Sequence, residues 1–595
     1  MKRFITNIDT EIWILLALSS FAWGPLLNPA YFFDAHDAQH SIFYVVEFDQ
    51  TLRDGYLWPR WSPDFAFGYG YPLFNNAIAP LAIYLAEIVH LLGARTVTAV
   101  KVIYGLSIIG SGLAMYGFVR RLYGQEAGLL AGVVYMYAPF HLLDIYVRSA
   151  FAESVSLALL PLILWAFTNL IAGPSFRRLC LAGLSYGLLA LTHSISLFTF
   201  TLFLIIYIVA LVAFKARFNL GRWFRLGVVN AGAGLLGMAL AGIFVAPVIL
   251  EQPFIKVEQW TSGSYNAAQH FVYFSQLFSP FWGFGYSGPG PVDDMAYQMG
   301  MVIFGLVIFS LAGLATLRVT NDELRVTNDE LRVTNDELRV TNDELRIGRA
   351  QVLIWLGVGL LSIWLMTPLA TRAWEVLPIA ALVQFPWRLL IVTMLSCSII
   401  IGALPQLLKL DRALTSFLSL IVILGSFPYT QPQLTDIPDW AETPLSIIKW
   451  DSFSPADRVG MVAVTEEQPT TSPMEAQYRA GEPLQVATAI SGEANVETIR
   501  HGGSSDEIRV SGGPAIIQFY TYDFPGWQVR LDGQAIPHRH EPPYGLITVD
   551  VPAGDHNLEL RMGATPARVI GGLMSLLAVG VIVYGLFFHH RRRGA

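Results

Sequence analysis

The sequence predicts an α-helical polytopic membrane protein of about twelve spans with a small exported β-sandwich before its last span. Three observations predict it. Of the 595 residues, 54% are hydrophobic and 14% charged, where a soluble chain carries about 25% charge. With a mean hydropathy of +0.48, the chain lacks the polar surface to cover a water-soluble globule. Apolar runs of bilayer-crossing length recur with basic clusters at alternate ends. Near residue 428 the runs shorten and alternate with polar residues, the period of half-buried strands.

The first span covers 12–27 and follows Lys2 and Arg3. It reads as an uncleaved helix, not a signal peptide, because no small-x-small site follows it. Further runs lie at 100–118, 127–144, 153–171, 179–194, 195–213, 227–247, 300–317, 350–367, 388–407, 413–428 and 567–588. Alternate crossing puts Arg120 and Arg121, Arg177 and Arg178, Lys215, Arg217, Arg222 and Arg225, Lys409 and Arg412, and Arg591, Arg592 and Arg593 on the side of the N-terminus. By the positive-inside rule that side is the cytoplasm, so both termini are expected there, in the cytoplasmic membrane. The apolar segment 77–92 breaks this register if it crosses, and is therefore expected as an interfacial or re-entrant helix on the outer face. Four copies of RVTNDEL make an insert at 318–346. Their apolar spacing does not alternate three and four, so they read as a solvated cytoplasmic insert without a coiled-coil seam.

The expected domains are a membrane domain at 1–428, an extracytoplasmic β-sandwich at 429–566, and a final helix with a basic tail at 567–595. In the sandwich, 515–524 reads as a strand, and 528–531 with 534–536 as a hairpin turning at Asp532-Gly533. The segments 546–551 and 557–561 read as another strand pair. His538, His540 and Glu541 fall in a Pro-rich loop, as surface residues or a weak metal site. Cys180 and Cys397 sit in apolar runs and suit buried small hydrophobes better than a disulfide.

The long polar segments 29–76, 248–299, 368–387 and 429–566 all fall outside, so chemistry is expected there. The first carries Asp34-Ala35-His36-Asp37-Ala38-Gln39-His40. Charge at that depth is costly unless paired or used. A carboxylate there suits a general base on an acceptor hydroxyl or a divalent-metal ligand. In a helix His36 and His40 share a face; the bland alternative is a solvated turn. Glu153 opens a span after Tyr146-Val147-Arg148-Ser149-Ala150-Phe151-Ala152, where the helix dipole alone favours a carboxylate. Arg148 either pairs with it or holds a phosphate. His193 stands at an outer helix end, as a site residue or a satisfied cap. Gln384-Phe385-Pro386-Trp387-Arg388 starts another span. Arg388 lies on the side that the charge rule disfavours and needs a partner such as a lipid-linked phosphate, or it snorkels from an aromatic belt. Aromatic residues at 58–74 (Trp61, Tyr69, Tyr71) and 260–297 (Trp260, Trp282, Tyr286) suit sugar rings or an interface equally. Phosphate-cradling loops, paired-Cys metal motifs and nucleophile elbows are absent from the sequence. A pump or kinase is not expected.

Two of these strings resemble family signatures. Tyr146-Val147-Arg148-Ser149-Ala150-Phe151-Ala152-Glu153 is similar to YxRGxxxE, with Ser149 where glycine is usual. Gln384-Phe385-Pro386-Trp387-Arg388 is similar to QFPWR. Both look like bacterial membrane proteins catalogued as 6-pyruvoyl-tetrahydropterin-synthase-related. The wider layout over about 10–430 resembles the GT-C superfamily of membrane glycosyltransferases: an acidic first outer loop, an interfacial helix at 77–92, then a short loop with Glu153. The module, with Phe524-Pro525-Gly526-Trp527, is similar to the exported domain of some GT-C-like proteins. The resemblance implies a GT-C-like fold and an inverting transfer from a polyprenyl-phosphate-linked sugar donor to an envelope glycan, lipid or protein. It implies Asp34 or Asp37 as the base or metal ligand, and Arg148 or Arg388 as the holder of the donor phosphate. With the reading of the loops above, the candidate catalytic residues are Asp34, Asp37 and Glu153, and the candidate substrate-binding residues are His36, His40, Arg148, His193, Gln384, Trp387 and Arg388. A divalent metal, Mg²⁺ or Mn²⁺, is the one cofactor suggested, and no nucleic acid partner is expected. Pterin chemistry is discounted, since no soluble catalytic fold with three zinc-binding histidines is visible. The alternative is a non-enzymatic lipid-linked glycan carrier or envelope assembly scaffold.

Overall fold

Helices α1 (Thr10–Trp23), α2 (Ala38–Arg53), α3 (Leu81–Leu91), α4 (Thr96–Tyr123), α5 (Gln125–Met136), α6 (Pro139–Tyr146), α7 (Phe151–Ala172), α8 (Phe176–Thr192), α9 (Ser194–Ala216), α10 (Leu220–Leu240), α11 (Gly242–Leu250), α12 (Met301–Asn328), α13 (Asp336–Met366), α14 (Leu390–Gly402) and α15 (Arg412–Ser426) form the helical body. The computed structural model describes residues 9–72, 78–217, 219–328, 336–376, 383–453 and 459–588, with backbone alone over 316–328 and 336–347. Lys2, Arg3, Arg591, Arg592 and Arg593 lie outside the described residues, as does part of the RVTNDEL insert.

Among the described residues nine helical segments are long and apolar enough to cross a membrane, or ten if α5 and α6 count as one bent span. That is fewer than the twelve expected. The run at 127–144 is broken by a 43° bend where Pro139, which has no N–H to continue the ladder, opens α6. The run at 179–194 forms the 17-residue α8. It spends its small residues on a close crossing, where a Cβ on Gly187 would meet the Gly237 carbonyl of α10 at 2.7 Å. Within 77–92, the 11-residue α3 is too short to cross. It buries Ala82, Ile83 and Ala86 and exposes Leu85, Ile88 and Leu91. The segment Pro386–Leu408 is 94% buried, against 28% for the first and last spans. It is the axis of the bundle, and the Gln384-to-Arg388 string stands at its start.

The body has two chemically distinct ends. At one, Arg120 Nε lies 2.8 Å from Asp9 Oδ2, Arg412 pairs with Glu11, and Lys215 and Arg178 donate to the carbonyls that finish α7. Helices α4 and α7 run parallel: Tyr104 meets Phe151 near one end and Gly117 meets Trp165 near the other. These basic residues therefore share one end, and the loops with Asp37, Arg148, His193 and Arg388 occupy the opposite one.

Beyond α16 (Leu445–Phe453) and α17 (Glu475–Ala480) comes one curled antiparallel sheet, a half-barrel of β1 (Ala487–His501), β2 (Ser505–Tyr522), β3 (Trp527–Leu531), β4 (Gln534–Ile536), β5 (Arg539–Glu541), β6 (Leu546–Val551) and β7 (Gly554–Met562). The order is β4-β3-β7-β2-β6-β5, with β1 on the other edge of β2. The expected sandwich is not formed. The 18-residue β2 is long enough to pair with β7 along its first half and β6 along its second, so those two strands do not pair with each other. The concave face is closed by the segment between α2 and α3: Trp61, Phe67 and Tyr69 pack with Ile508, Phe519 and Trp527 in a second core. The β3–β4 hairpin forms as expected, with Asp532 and Gly533 at φ 48° and 83°, the conformation of a tight primed turn. The sheet returns through α18 (Pro566–Val583), where Arg568 and Glu251, each 3% exposed, form a buried ion pair. Cys180 and Cys397 are free and buried.

Candidate functional site

A cavity of about 700 Å³ opens at the end opposite the basic residues. It brings together His36, Asp37, His40, Arg148, Glu153, His193, Gln384, Trp387 and Arg388. Asp34 does not join them. It is exposed and outside the lining, because the turn before α2 sends only the second aspartate inward.

Two backbone bonds clamp this turn to the Arg148 loop. His36 N donates to Val147 O at 3.1 Å and Asp37 N to Arg148 O at 2.8 Å. Ser41 Oγ donates to Ser149 O at 3.0 Å, and Ser149 Oγ meets the Tyr104 hydroxyl at 2.9 Å. Ser149 has φ 51°, the left-handed region where glycine is at home.

Arg148 and Glu153, 4% and 2% exposed, do pair: Arg148 Nη2 donates to Glu153 Oε2 at 2.8 Å. Arg148 Nη1 is taken by Asp144, a fully buried acid that also accepts from Ser154 Oγ. Asp144 was not anticipated. It hides in an apolar run, although its i,i+4 spacing to Arg148 is legible. The Arg148 guanidinium lies 4.5 Å from the centre of Trp387, a cation–π contact. Arg148 is thus committed to protein partners.

Arg388 differs. Its Nη1 donates to Gln384 Oε1 at 2.8 Å and Val383 O at 3.1 Å. Its Nε, 3.9 Å from Glu153 Oε2, is buried without a hydrogen-bond acceptor among the described residues, and both hydrogen bonds of the guanidinium come from Nη1. Glu153 Oε1 is likewise buried without a partner. Phe385 and Trp387 stack 5.1 Å apart at 7°, with Arg388 4.9 Å from the Phe385 ring, so one short string orients both guanidinium groups. Gln384 Nε2 donates to Trp260 O at 3.2 Å, which ties the 251–299 segment over the cavity. His36 Nε2 does the same at Gly285 O, 3.0 Å away.

The Asp37 carboxylate is half exposed, 4.0 Å from His40 Nδ1, and accepts no hydrogen bond among the described residues. Ser196 N donates to His193 Nδ1, which fixes the tautomer with its proton on Nε2. Burial pushes His193 down to about 4 and lowers His36 and His270 as well, so these imidazoles are neutral near pH 7. His270, Trp450 and Tyr265 also line the cavity and carry no local sequence signal. Trp260, Tyr71 and Tyr286 line it too, whereas Trp61 and Tyr69 belong to the sheet core and Trp282 packs on Tyr429.

His36 Nε2 is engaged by carbonyls, and among the described residues no three His, Cys, Asp or Glu side chains converge to hold a metal. His538 and His540 flank Asp523 instead.

A family model described as "6-pyruvoyl-tetrahydropterin synthase related domain; membrane protein" matches residues 78–432. An uncharacterised protein of Lactococcus lactis subsp. cremoris is 20% identical over 264 residues, 43% of this chain and 40% of that one. Among solved structures, the arabinofuranosyltransferase AftD from Mycobacteria is 14% identical with a TM-score of 0.43, over 80% of this chain and 31% of that one. The oligosaccharyltransferase AglB from Archaeoglobus fulgidus, solved with an inhibitory peptide and a dolichol-phosphate, is 12% identical with a TM-score of 0.39, over 79% of this chain and 63% of that one. The chain therefore spans less than half of the Lactococcus protein and under a third of AftD.

Proposed function

The chain belongs to the 6-pyruvoyl-tetrahydropterin synthase-related family of membrane proteins, and from that premise we propose that it transfers a sugar from a polyprenyl-phosphate-linked donor to an envelope acceptor at the extracytoplasmic face. One observation carries the reading. Asp37, which accepts no hydrogen bond among the described residues, shares a cavity with Arg388, whose Nε and Nη2 edge donates none among them. A planar guanidinium edge suits a phosphate oxygen pair, and a carboxylate suits a hydroxyl proton. The outer face is assigned because Arg120, Arg178, Lys215 and Arg412 gather at the other end.

In this reading the acceptor hydroxyl oxygen forms a bond to the anomeric carbon as the carbon–oxygen bond to phosphate breaks. Asp37 takes the hydroxyl proton. The phosphate leaves with the bonding pair, its charge held by Arg388 and its oxygen within reach of the His193 Nε2–H. A single displacement of this kind inverts the anomeric centre. Glu153 and Arg148 keep Arg388 oriented and the buried charge balanced, and no step is routed through a metal.

The test is turnover of a radiolabelled polyprenyl-phosphate sugar by the full chain in proteoliposomes. Asp37→Asn is expected to lose about 100-fold or more, and Asp34→Asn to match wild type. Equal turnover in both variants removes Asp37 from the mechanism. Chelation followed by Mg²⁺ or Mn²⁺ add-back reads any metal requirement. Lipid exchange without turnover by the wild type supports a carrier instead.

A further inference from the structure

Behind the cavity wall lies a second set of buried acids that the transfer does not use. Glu47 on α2 and Asp64 in the first outer loop are 0% and 1% exposed. Glu47 Oε2 accepts from Ser62 Oγ and, at 3.1 Å, from Asp64 N. Asp64 Oδ1 accepts from the Tyr478 hydroxyl of α17. Glu47 Oε1 and Asp64 Oδ2 are left buried with no partner among the described residues. Two adjacent carboxylates in a dry site cannot both ionise cheaply, and one proton on the pair removes a buried charge and supplies the donor it lacks.

The segment they hold is strained. Ala66 and Phe67 stand at φ 56° and 61°, a region that residues with a side chain rarely occupy. Gly68 N donates to Asp64 O at 3.0 Å, Phe67 N to Asp451 Oδ2 at 2.9 Å, and Ser472 Oγ to Phe67 O at 2.6 Å. Phe65 and Ala66 line the cavity, as do Ser41 and Tyr44 from the helix that carries Glu47. We propose that Glu47 and Asp64 share one proton and act as a latch that holds the strained 64–68 turn in the cavity wall, so that the wall tightens in acid and loosens in alkali.

The sign follows from linkage. Burial, with Asp64 adding to it, raises Glu47 well above its ordinary 4.5. The folded chain then keeps a proton that the unfolded chain releases above that pH. The latch is at full strength below pH 4.5 and weakens as pH rises through the raised native value. Other groups face the pair. His501 and Asp506 bond at 2.6 Å, Arg500 pairs with Asp54, and Asp451 belongs to α16. Further along α2, Glu87 of α3 faces Asp49 and Arg53, and burial pushes it up to about 7. The test therefore compares variants of the pair in an otherwise intact chain.

Hydrogen–deuterium exchange of the full chain in nanodiscs reads the amides of 62–68 from pH 5 to pH 9, corrected for intrinsic exchange. Wild-type protection is expected to fall by up to about tenfold per pH unit across the titration. In Glu47→Gln, whose amide replaces the shared proton, the same amides should show a flat profile, and Asp64→Asn should do likewise if the first variant folds poorly. A flat wild-type profile, or the wild-type slope retained in a folded variant, overturns the latch. The outcome is independent of whether the cavity transfers sugar.

Discussion

Replacing Arg148 by methionine exposes how the cavity's buried charge is balanced. Two cations, Arg148 and Arg388, are sunk among two anions, Asp144 and Glu153, all 8% exposed or less. Methionine keeps much of the side-chain volume and removes one cation. Asp144 then loses its ion-pair partner, and Glu153 keeps only Arg388 at 3.9 Å. Breaking a buried pair from one side costs about 3–5 kcal/mol, and the lost contact with Trp387 adds roughly 0.5–2 kcal/mol. Adding Asp144→Asn removes the orphaned charge and leaves Glu153 and Arg388 as a neutral set. The double variant should therefore recover about half of the loss, in the direction expected when an uncompensated charge is removed. Equilibrium unfolding of the full chain in mixed micelles measures both. A single variant as stable as wild type, or a double variant no more stable than the single, would falsify this account of the charge balance.

Two further predictions rest on the same walls. Ser149→Ala and Ser149→Gly both remove the hydroxyl that meets those of Tyr104 and Tyr31, and only Ser149→Gly also relieves the strained backbone. The alanine variant should be less stable by about 1 kcal/mol, and the reverse order in unfolding midpoints would refute the left-handed assignment. Burial lowers His193 to about 4 from 6.5, so the unfolded state binds the extra proton between those values. His193 therefore costs stability as pH falls from 6.5 towards 4, by at most about 3 kcal/mol. His193→Gln should flatten that acid limb of a stability–pH curve, and an unchanged limb counts against a neutral, buried imidazole.

The membrane class was legible because hydropathy sums over many residues, and the Asp532-Gly533 hairpin because two residues suffice to set a primed turn. The span count was not. Pro139 breaks a run that hydropathy reads as continuous, and α8 turns a small-residue face to α10. The sandwich failed on non-local pairing, since nothing local in 505–522 says that one strand will serve two partners in succession. Trp61 and Tyr69 look the same in sequence as Tyr286 and Trp260, yet only the latter pair line the cavity, because aromatic residues serve cores and sugar faces alike. Asp34 and Asp37 lie three residues apart, and only the clamp onto Val147 and Arg148 decides which one turns inward. Gln384, Phe385, Trp387 and Arg388 of the one string that stood out all line the cavity. That Arg388 keeps a free edge while Arg148 is spent required coordinates, because Asp144 had to be seen.

The central claim is that the free edge of Arg388 holds a lipid phosphate across the cavity from Asp37. A cryo-electron microscopy structure of the full chain with polyprenyl phosphate tests it most directly. The account predicts phosphate density within about 3 Å of Arg388 Nε and Nη2, inside the cavity and facing Asp37. Phosphate density at the opposite, basic end, or a lipid bound with the Arg388 edge still unfilled, would contradict it.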